Sequence, residues 1–220
     1  MQCIKDTIKN INIVIGCSIG CSYCYARMNN NRFHTIDDFN KPIFFENKLK
    51  MLDNKRHSAY LLTGQSDLSG WDEEWKDKVF SKMKENENTQ YIFLTKRPEN
   101  INLKETPDNG WFGVTVTSSK EKTRIDYLRN NIKAKHYHIT FEPMFDDIGK
   151  LDLSNISWIV IGTETGNRKR KISSKREWVF NIYNQAKEKN IPIFMKEDLL
   201  GILNEDEFVQ EFPKEFGGIK

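Results

Sequence analysis

A chain of 220 residues is long enough to bury a full hydrophobic core without disulfide staples, and its 38% hydrophobic and 30% charged residues exclude both a disordered and a membrane-embedded class. No apolar run reaches the roughly 18 residues that span a bilayer, and the opening MQCIKDTIKN lacks the basic-then-apolar order of a secretory signal, so a cytoplasmic protein with no membrane partner is expected. The 34 basic and 31 acidic residues leave a net charge of +3, too balanced to argue for nucleic-acid binding by itself.

The first strand is expected over 11–15 (INIVI), and the segment GCSIGCSYCYAR, residues 16–27, follows it directly. Three of the four cysteines, Cys17, Cys21 and Cys24, fall within eight residues at C-x3-C-x2-C spacing, which suits a metal or cluster site better than a disulfide framework. Thiolates are soft ligands for iron–sulfur chemistry, and three of them leave one iron of a cube open to another ligand. A zinc site completed by His34 and a closed cluster completed by Cys3 are the alternatives. Cys3 precedes the strand and so belongs nearer its opposite end, as a small buried hydrophobe.

Further strands are expected at 59–63, 91–95, 111–116, 137–141, 158–162 and 191–195, most of them near-continuously apolar. Between them the spacing predicts helices over 72–84, with Asp72 as N-cap, over 118–132, with Ser118 and Glu121 as a capping box, and over 174–189, with Ser174 and Glu177 repeating that signature. Asn204 is expected to cap a last helix carrying Phe208 and Val209 and ended by Pro213. Strand–helix alternation implies a parallel sheet with right-handed crossovers. Six or seven units fall short of the eight of a closed barrel, so the fold class is α/β: one domain over 1–220 forming a partial (β/α) barrel, preferred to a flat doubly wound sheet.

In such barrels functional groups sit at the C-terminal ends of the strands. Those positions here are Gln65, Ser66 and Asp67, then Lys96 and Arg97, Thr115 and Thr117, Glu142, Glu164, and Lys196 and Glu197. A mouth lined this way is a polar pocket. The basic run 167–171 (NRKRK) follows the sixth strand, where it is either a solvated loop or a contact for a phosphate-bearing substrate.

The cysteine segment, with Tyr23 before its last cysteine, resembles the C-x3-C-x-aromatic-C signature of the radical S-adenosylmethionine (SAM) superfamily. More narrowly, the segments LTKRP (94–98), FEPM (141–144), GTETG (162–166) and IFMKE (193–197) are similar to those of phage-associated three-cysteine-motif proteins, a domain family of unknown function. The resemblance implies a 4Fe–4S cluster on Cys17, Cys21 and Cys24, and SAM on its open iron. It also implies reductive cleavage of SAM to a 5′-deoxyadenosyl radical and an electron donor such as a flavodoxin or ferredoxin. Together with the strand-end positions it makes Ser66, Asp67, Lys96, Thr115, Glu142, Glu164 and Lys196 the expected cofactor-binding residues, the resemblance bearing chiefly on Lys96, Glu142, Glu164 and Lys196. A partial barrel itself places Glu142 and Glu164, at equivalent strand ends, within reach of one ligand. The usual glycine–glycine–acidic–proline segment after strand two is replaced by TGQSD, which leaves the individual SAM contacts open, although Ser66 and Asp67 agree with the narrower group. The reading from another class is a non-catalytic iron–sulfur module that senses redox state or binds a partner protein. The substrate is not legible, and a nucleic-acid constituent is one of several options.

Overall fold

Seven strands pair side by side, all parallel, in one curled sheet that forms a half-barrel, as the alternating apolar runs require. The structure is a computed structural model describing residues 2–54, 56–166 and 168–217. A single helical turn, α1 (Ile4–Thr7), leads into the edge strand β1 (Ile8–Asn10), and β2 (Val14–Ile15) pairs antiparallel with β3 (Ile43–Phe44) outside the main sheet. Between these lies α2 (Tyr25–Phe33). The main sheet continues through β4 (Ala59–Leu61), α3 (Glu73–Glu85), β5 (Gln90–Thr95), β6 (Gly110–Thr115), α4 (Thr123–Asn131), β7 (His136–Phe141), β8 (Ile156–Ile161), α5 (Arg176–Glu188) and β9 (Ile193–Met195). Its order is β1-β4-β5-β6-β7-β8-β9. No described helix is long and apolar enough to cross a membrane.

Side chains alternate between the two faces of each strand. The convex face carries Phe93, Phe112, Ile139, Ile159 and Ile193 and is covered by Val79 and Met83 of α3, Leu128 of α4 and Ile182 of α5. The concave face carries Ile92, Trp111, Trp158 and Phe194 and is filled from inside by the last described residues. The Phe216 ring lies 4.8 Å from Trp111 and 5.2 Å from Trp158, and Phe212 lies 4.7 Å from Phe194. Burial on both faces is why most of these strands read as unbroken apolar runs.

Four sequence expectations are corrected. The first sheet strand is Ile8–Asn10, not 11–15: Ile11 still donates to the Leu61 carbonyl at 3.0 Å, but Ile13 and Val14 are both buried, so the period-two pattern breaks and the chain leaves the sheet to pair with β3. Ser118 and Glu121 make no capping box, because Glu121 Oε2 accepts from the Thr117 N–H and hydroxyl at 2.8 Å each and α4 starts only at Thr123. Ser174 does not cap α5; its N–H donates to Thr163 Oγ1 at 2.9 Å and the helix starts at Arg176. Asn204 does stand at the N-cap, its N–H donating to Glu207 Oε2 at 3.0 Å, but the helix is a single turn, Glu205–Glu207, that leaves out Phe208 and Val209, and Gln210 then bridges antiparallel to Phe194. Asp72 does stand at the N-cap position of α3.

Candidate functional site

Strand register stacks the concave face in layers. Gly113 lies beside His138 and His138 beside Trp158; one layer higher, Thr115, Thr140, Val160 and Phe194 are neighbours. The ladder continues beyond the strands, Gly162 N–H donating to the Phe141 carbonyl at 3.0 Å and Lys196 N–H to that of Ile161 at 2.9 Å. Glu142, Gly162 and Lys196 therefore form the next layer, where apolar filling gives way to the mouth. Glu142 and Lys196 pair directly, and Lys196 Nζ stands 3.6 Å from Asp198 Oδ2. Asp198 Oδ1 accepts from the Thr163 N–H at 3.0 Å. Burial pushes the Asp198 carboxyl up to about 6, against the opposing pull of Lys196. Burial also opposes the Lys196 charge, but Glu142 and Asp198 outweigh it and raise the ammonium pKa. The side chains of Lys196 and Glu142 stay 18% and 29% exposed, enough to meet a ligand.

The cysteine loop lies over this mouth. Gly16 N–H donates to the Gln65 carbonyl at 3.0 Å, tying the loop to the end of β4, and Cys17 N–H donates to the Phe39 carbonyl at 2.6 Å. Cys24 caps α2, its sulfur accepting from the Arg27 N–H at 3.4 Å, while Arg27 Nη2 donates to the Cys17 carbonyl at 2.7 Å. One arginine thus links the first and last cysteines. Tyr23 meets Phe145 edge-on at 5.4 Å, and Lys96 Nζ lies 5.8 Å from the Tyr23 ring. Tyr25 donates to the Gly64 carbonyl at 2.6 Å, with Glu142 and Lys196 close enough to influence its hydroxyl. The loop is therefore anchored beyond β4 and β5 and reaches the segment beyond β7.

The expected site residues divide into two groups. Glu142, Lys196 and Lys96 face the mouth or the cysteine loop. Asp67 is buried and fully engaged: Oδ1 accepts from Ser69 N–H (3.0 Å), Ser69 Oγ (2.7 Å) and Thr95 Oγ1 (2.6 Å), and Oδ2 from the Lys96 N–H (2.9 Å). Ser66 accepts from Trp71 Nε1 at 2.9 Å, and the Thr115 carbonyl from Arg124 at 2.8 Å. Glu164 takes the Arg168 guanidinium in a two-pronged pair at 2.5 and 2.6 Å, which holds its carboxyl below the usual carboxylate range. Glu142 and Glu164 therefore engage different cations, Lys196 and Arg168, rather than facing each other as a pair of free carboxylates.

Sequence reasoning missed Asp198, Tyr25, Phe145 and Arg27. Asp198 had a usable signal, two residues beyond Lys196. Arg27 had none, because its role depends on α2 folding back onto Cys17. Cys3 is not a buried hydrophobe: it is half-buried, and its thiol donates to Glu197 Oε1 at 3.0 Å, the hydrogen bond that chiefly raises its pKa. Two surface clefts of about 480 Å³, one bounded by Thr106, Asp108 and Lys135, the other by Leu151 and Gln185, contain none of the strand-end residues.

Among the described residues no three His, Cys, Asp or Glu side chains stand close enough together to hold a metal ion. The donor chemistry nonetheless fits an anionic cluster. Three half-buried thiols share one loop, burial chiefly holds the Cys17 thiol's pKa up, and the buried Arg27 Nε beside them has no hydrogen-bond partner among the described residues.

A family model described as a protein of unknown function (DUF5131) matches residues 2–217. The chain belongs to the DUF5131 family. The match takes in the cysteine loop, every strand of the half-barrel and the aromatic filling of its concave face, so the DUF5131 unit is the whole half-barrel rather than a motif within it. Comparison of this DUF5131 chain with curated proteins and with solved structures finds no match.

Proposed function

We propose that this DUF5131 chain is a radical SAM-type enzyme in which Cys17, Cys21 and Cys24 hold a 4Fe–4S cluster and the half-barrel mouth binds SAM. The observation that carries this reading is the placement of a C-x3-C-x2-C loop directly over the C-terminal end of a curled parallel sheet. When bound, the cluster would supply an open iron for the amino and carboxylate groups of SAM and the electron for its reductive cleavage.

The chain's own residues do the positioning. Arg27 bridges the two ends of the cysteine loop and offers a buried, unpartnered donor and a positive charge to a cluster of negative charge. Glu142 accepts hydrogen bonds from ribose hydroxyls or an ammonium, and Lys196 pairs with a carboxylate, each held by the other until a ligand arrives. Asp67 and Ser66 shape the loop after β4 and hold the Lys96 backbone against it. An electron donor of the flavodoxin or ferredoxin kind completes the proposal.

Anaerobic reconstitution with iron and sulfide tests the cluster. The wild type should bind a full cluster's iron, and Cys17→Ala, Cys21→Ala and Cys24→Ala should each lose it, while Cys3→Ala keeps it. Loss in Cys3→Ala with retention in any loop variant would overturn the assignment.

A further inference from the structure

The loop beyond β8 concentrates positive charge more than any other part of the chain. Residues 168–176 hold six cations (Arg168, Lys169, Arg170, Lys171, Lys175 and Arg176) and no acid; since the whole chain nets +3, the remainder nets −3. Three of the six have acidic partners, Arg168 the buried Glu164, Arg176 Glu207 and Lys175, more loosely at 4.0 Å, Glu177. Lys169, Arg170 and Lys171 are exposed, and among the described residues none has an acidic partner within 4.0 Å.

We infer that this loop is a docking surface for the phosphodiester backbone of a single-stranded nucleic acid. The loop is built rather than merely basic. Glu164 takes Arg168 from one side and the Ile172 N–H at 3.2 Å from the other, and the Lys171 N–H closes a turn onto the Arg168 carbonyl at 3.2 Å. Ser174 N–H donates to Thr163 Oγ1, and its hydroxyl to the Met144 carbonyl at 3.4 Å. One buried carboxylate thus fixes the loop's base, and the next three cations project into solvent.

Successive cations displayed along a chain suit a string of phosphates, whereas a single phosphate group is held by donors that converge on one point. Placement favours a single strand. Met144, which anchors the loop, precedes Phe145, whose ring meets Tyr23 of the cysteine loop edge to face; both residues are only half-buried, so part of a ring face stays open for an unpaired base to stack on. A strand lying on the basic loop passes beside the mouth. The inference does not depend on the cluster, because binding is measured on the chain as purified.

The test is fluorescence anisotropy with a labelled single-stranded DNA of about 12 nucleotides, a length of the order of known single-strand sites, titrated from about 50 to 200 mM salt. The wild type should bind, with affinity falling steeply with salt. Replacing the three free cations (Lys169→Gln, Arg170→Gln, Lys171→Gln) should weaken binding at least tenfold at the lowest salt. It should also flatten the log–log salt slope by about 2, at roughly 0.7 per phosphate contact. Thermal melting should not change, since all three side chains are exposed. A control of equal charge loss elsewhere (Lys84→Gln, Lys104→Gln, Lys189→Gln) should leave the slope within about 1 of the wild type. The inference is overturned by no binding at low salt, by equal losses in both triple variants, or by tighter capture of the wild type on anionic phospholipid vesicles than on the oligonucleotide.

Discussion

Glu142 and Lys196 belong to strands two apart in the sheet, and they meet because the strand between them carries a glycine at that level. A Cβ on Gly162 would stand 3.2 Å from Glu142 Cγ and Cδ and 3.2 Å from Lys196 Cδ. Gly162 thus leaves the gap that the pair fills, and the pair stays partly open to solvent. On the SAM reading, Glu142→Gln keeps the size of the side chain and removes one charge-assisted hydrogen bond to the ligand. SAM affinity in isothermal titration should fall about ten- to a hundredfold, or about 1.5–3 kcal/mol, with the melting curve little changed. Unchanged affinity would reduce the pair to a structural bridge. Asp67→Ala should behave in the opposite way, because its carboxylate serves four protein donors. It should lose about 2–4 kcal/mol in urea unfolding before any ligand is considered. Retained stability in Asp67→Ala would show that those bonds are replaceable.

The strands were legible because burial on both faces leaves an apolar run that periodicity and length identify, and β5 to β8 fall within two residues of their expected bounds. Element starts were less legible where a side chain had a better partner elsewhere. Glu121 serves Thr117, and Ser174 serves Thr163 and Met144, and neither choice is written in the local spacing. The INIVI run misled for a related reason: it feeds a two-residue strand outside the sheet. That detour sets the cysteine loop and depends on Gly16. Its φ is +114°, and an added Cβ would lie 2.9 Å from Pro42 Cα and 3.0 Å from the Lys41 carbonyl oxygen, both backbone atoms that cannot move aside cheaply. Gly16→Ala should therefore lower stability by about 1–3 kcal/mol and reduce iron incorporation, with the strands intact by circular dichroism. Wild-type stability and iron content together would show that the loop does not need this backbone.

At the scale of the molecule, the half-barrel is completed by segments with no periodic pattern to announce them. Gln2 N–H donates to Gln210 Oε1 at 2.8 Å, and Gln210 Nε2 donates to the Met195 carbonyl at 3.1 Å, so the segments at 2 and 210 meet beside β9; Phe212 and Phe216 fill the concavity. On the same concave face His138, beside Gly113 and Trp158, is completely buried. Its Nε2 faces the Phe93 carbonyl at 3.0 Å, its Nδ1 has no hydrogen-bond partner among the described residues, and burial lowers its pKa from 6.5 to about 4. The unfolded chain takes up this proton first, so the stability from neutral His138 is fully present above pH 6.5 and is lost as pH falls toward 4, by up to about 3 kcal/mol. Asp198 acts in the opposite sense: its folded pKa is raised from 3.8 to about 6, so its contribution is fully present below 3.8 and lost as pH rises through 6. The two offset each other between pH 4 and 6. Asp198→Asn should expose the histidine, making the drop in unfolding free energy between pH 6.5 and 4.5 larger than in the wild type by about 2 kcal/mol in urea titrations. An equal or smaller drop would contradict the opposed pair. The proposal that the mouth beneath the cysteine loop cleaves SAM stands or falls on chromatographic detection of 5′-deoxyadenosine after anaerobic incubation of reconstituted protein with SAM and dithionite. The account predicts product from the wild type and none from Cys24→Ala; a fully loaded wild type that binds SAM yet yields no 5′-deoxyadenosine with dithionite or a flavodoxin would contradict it.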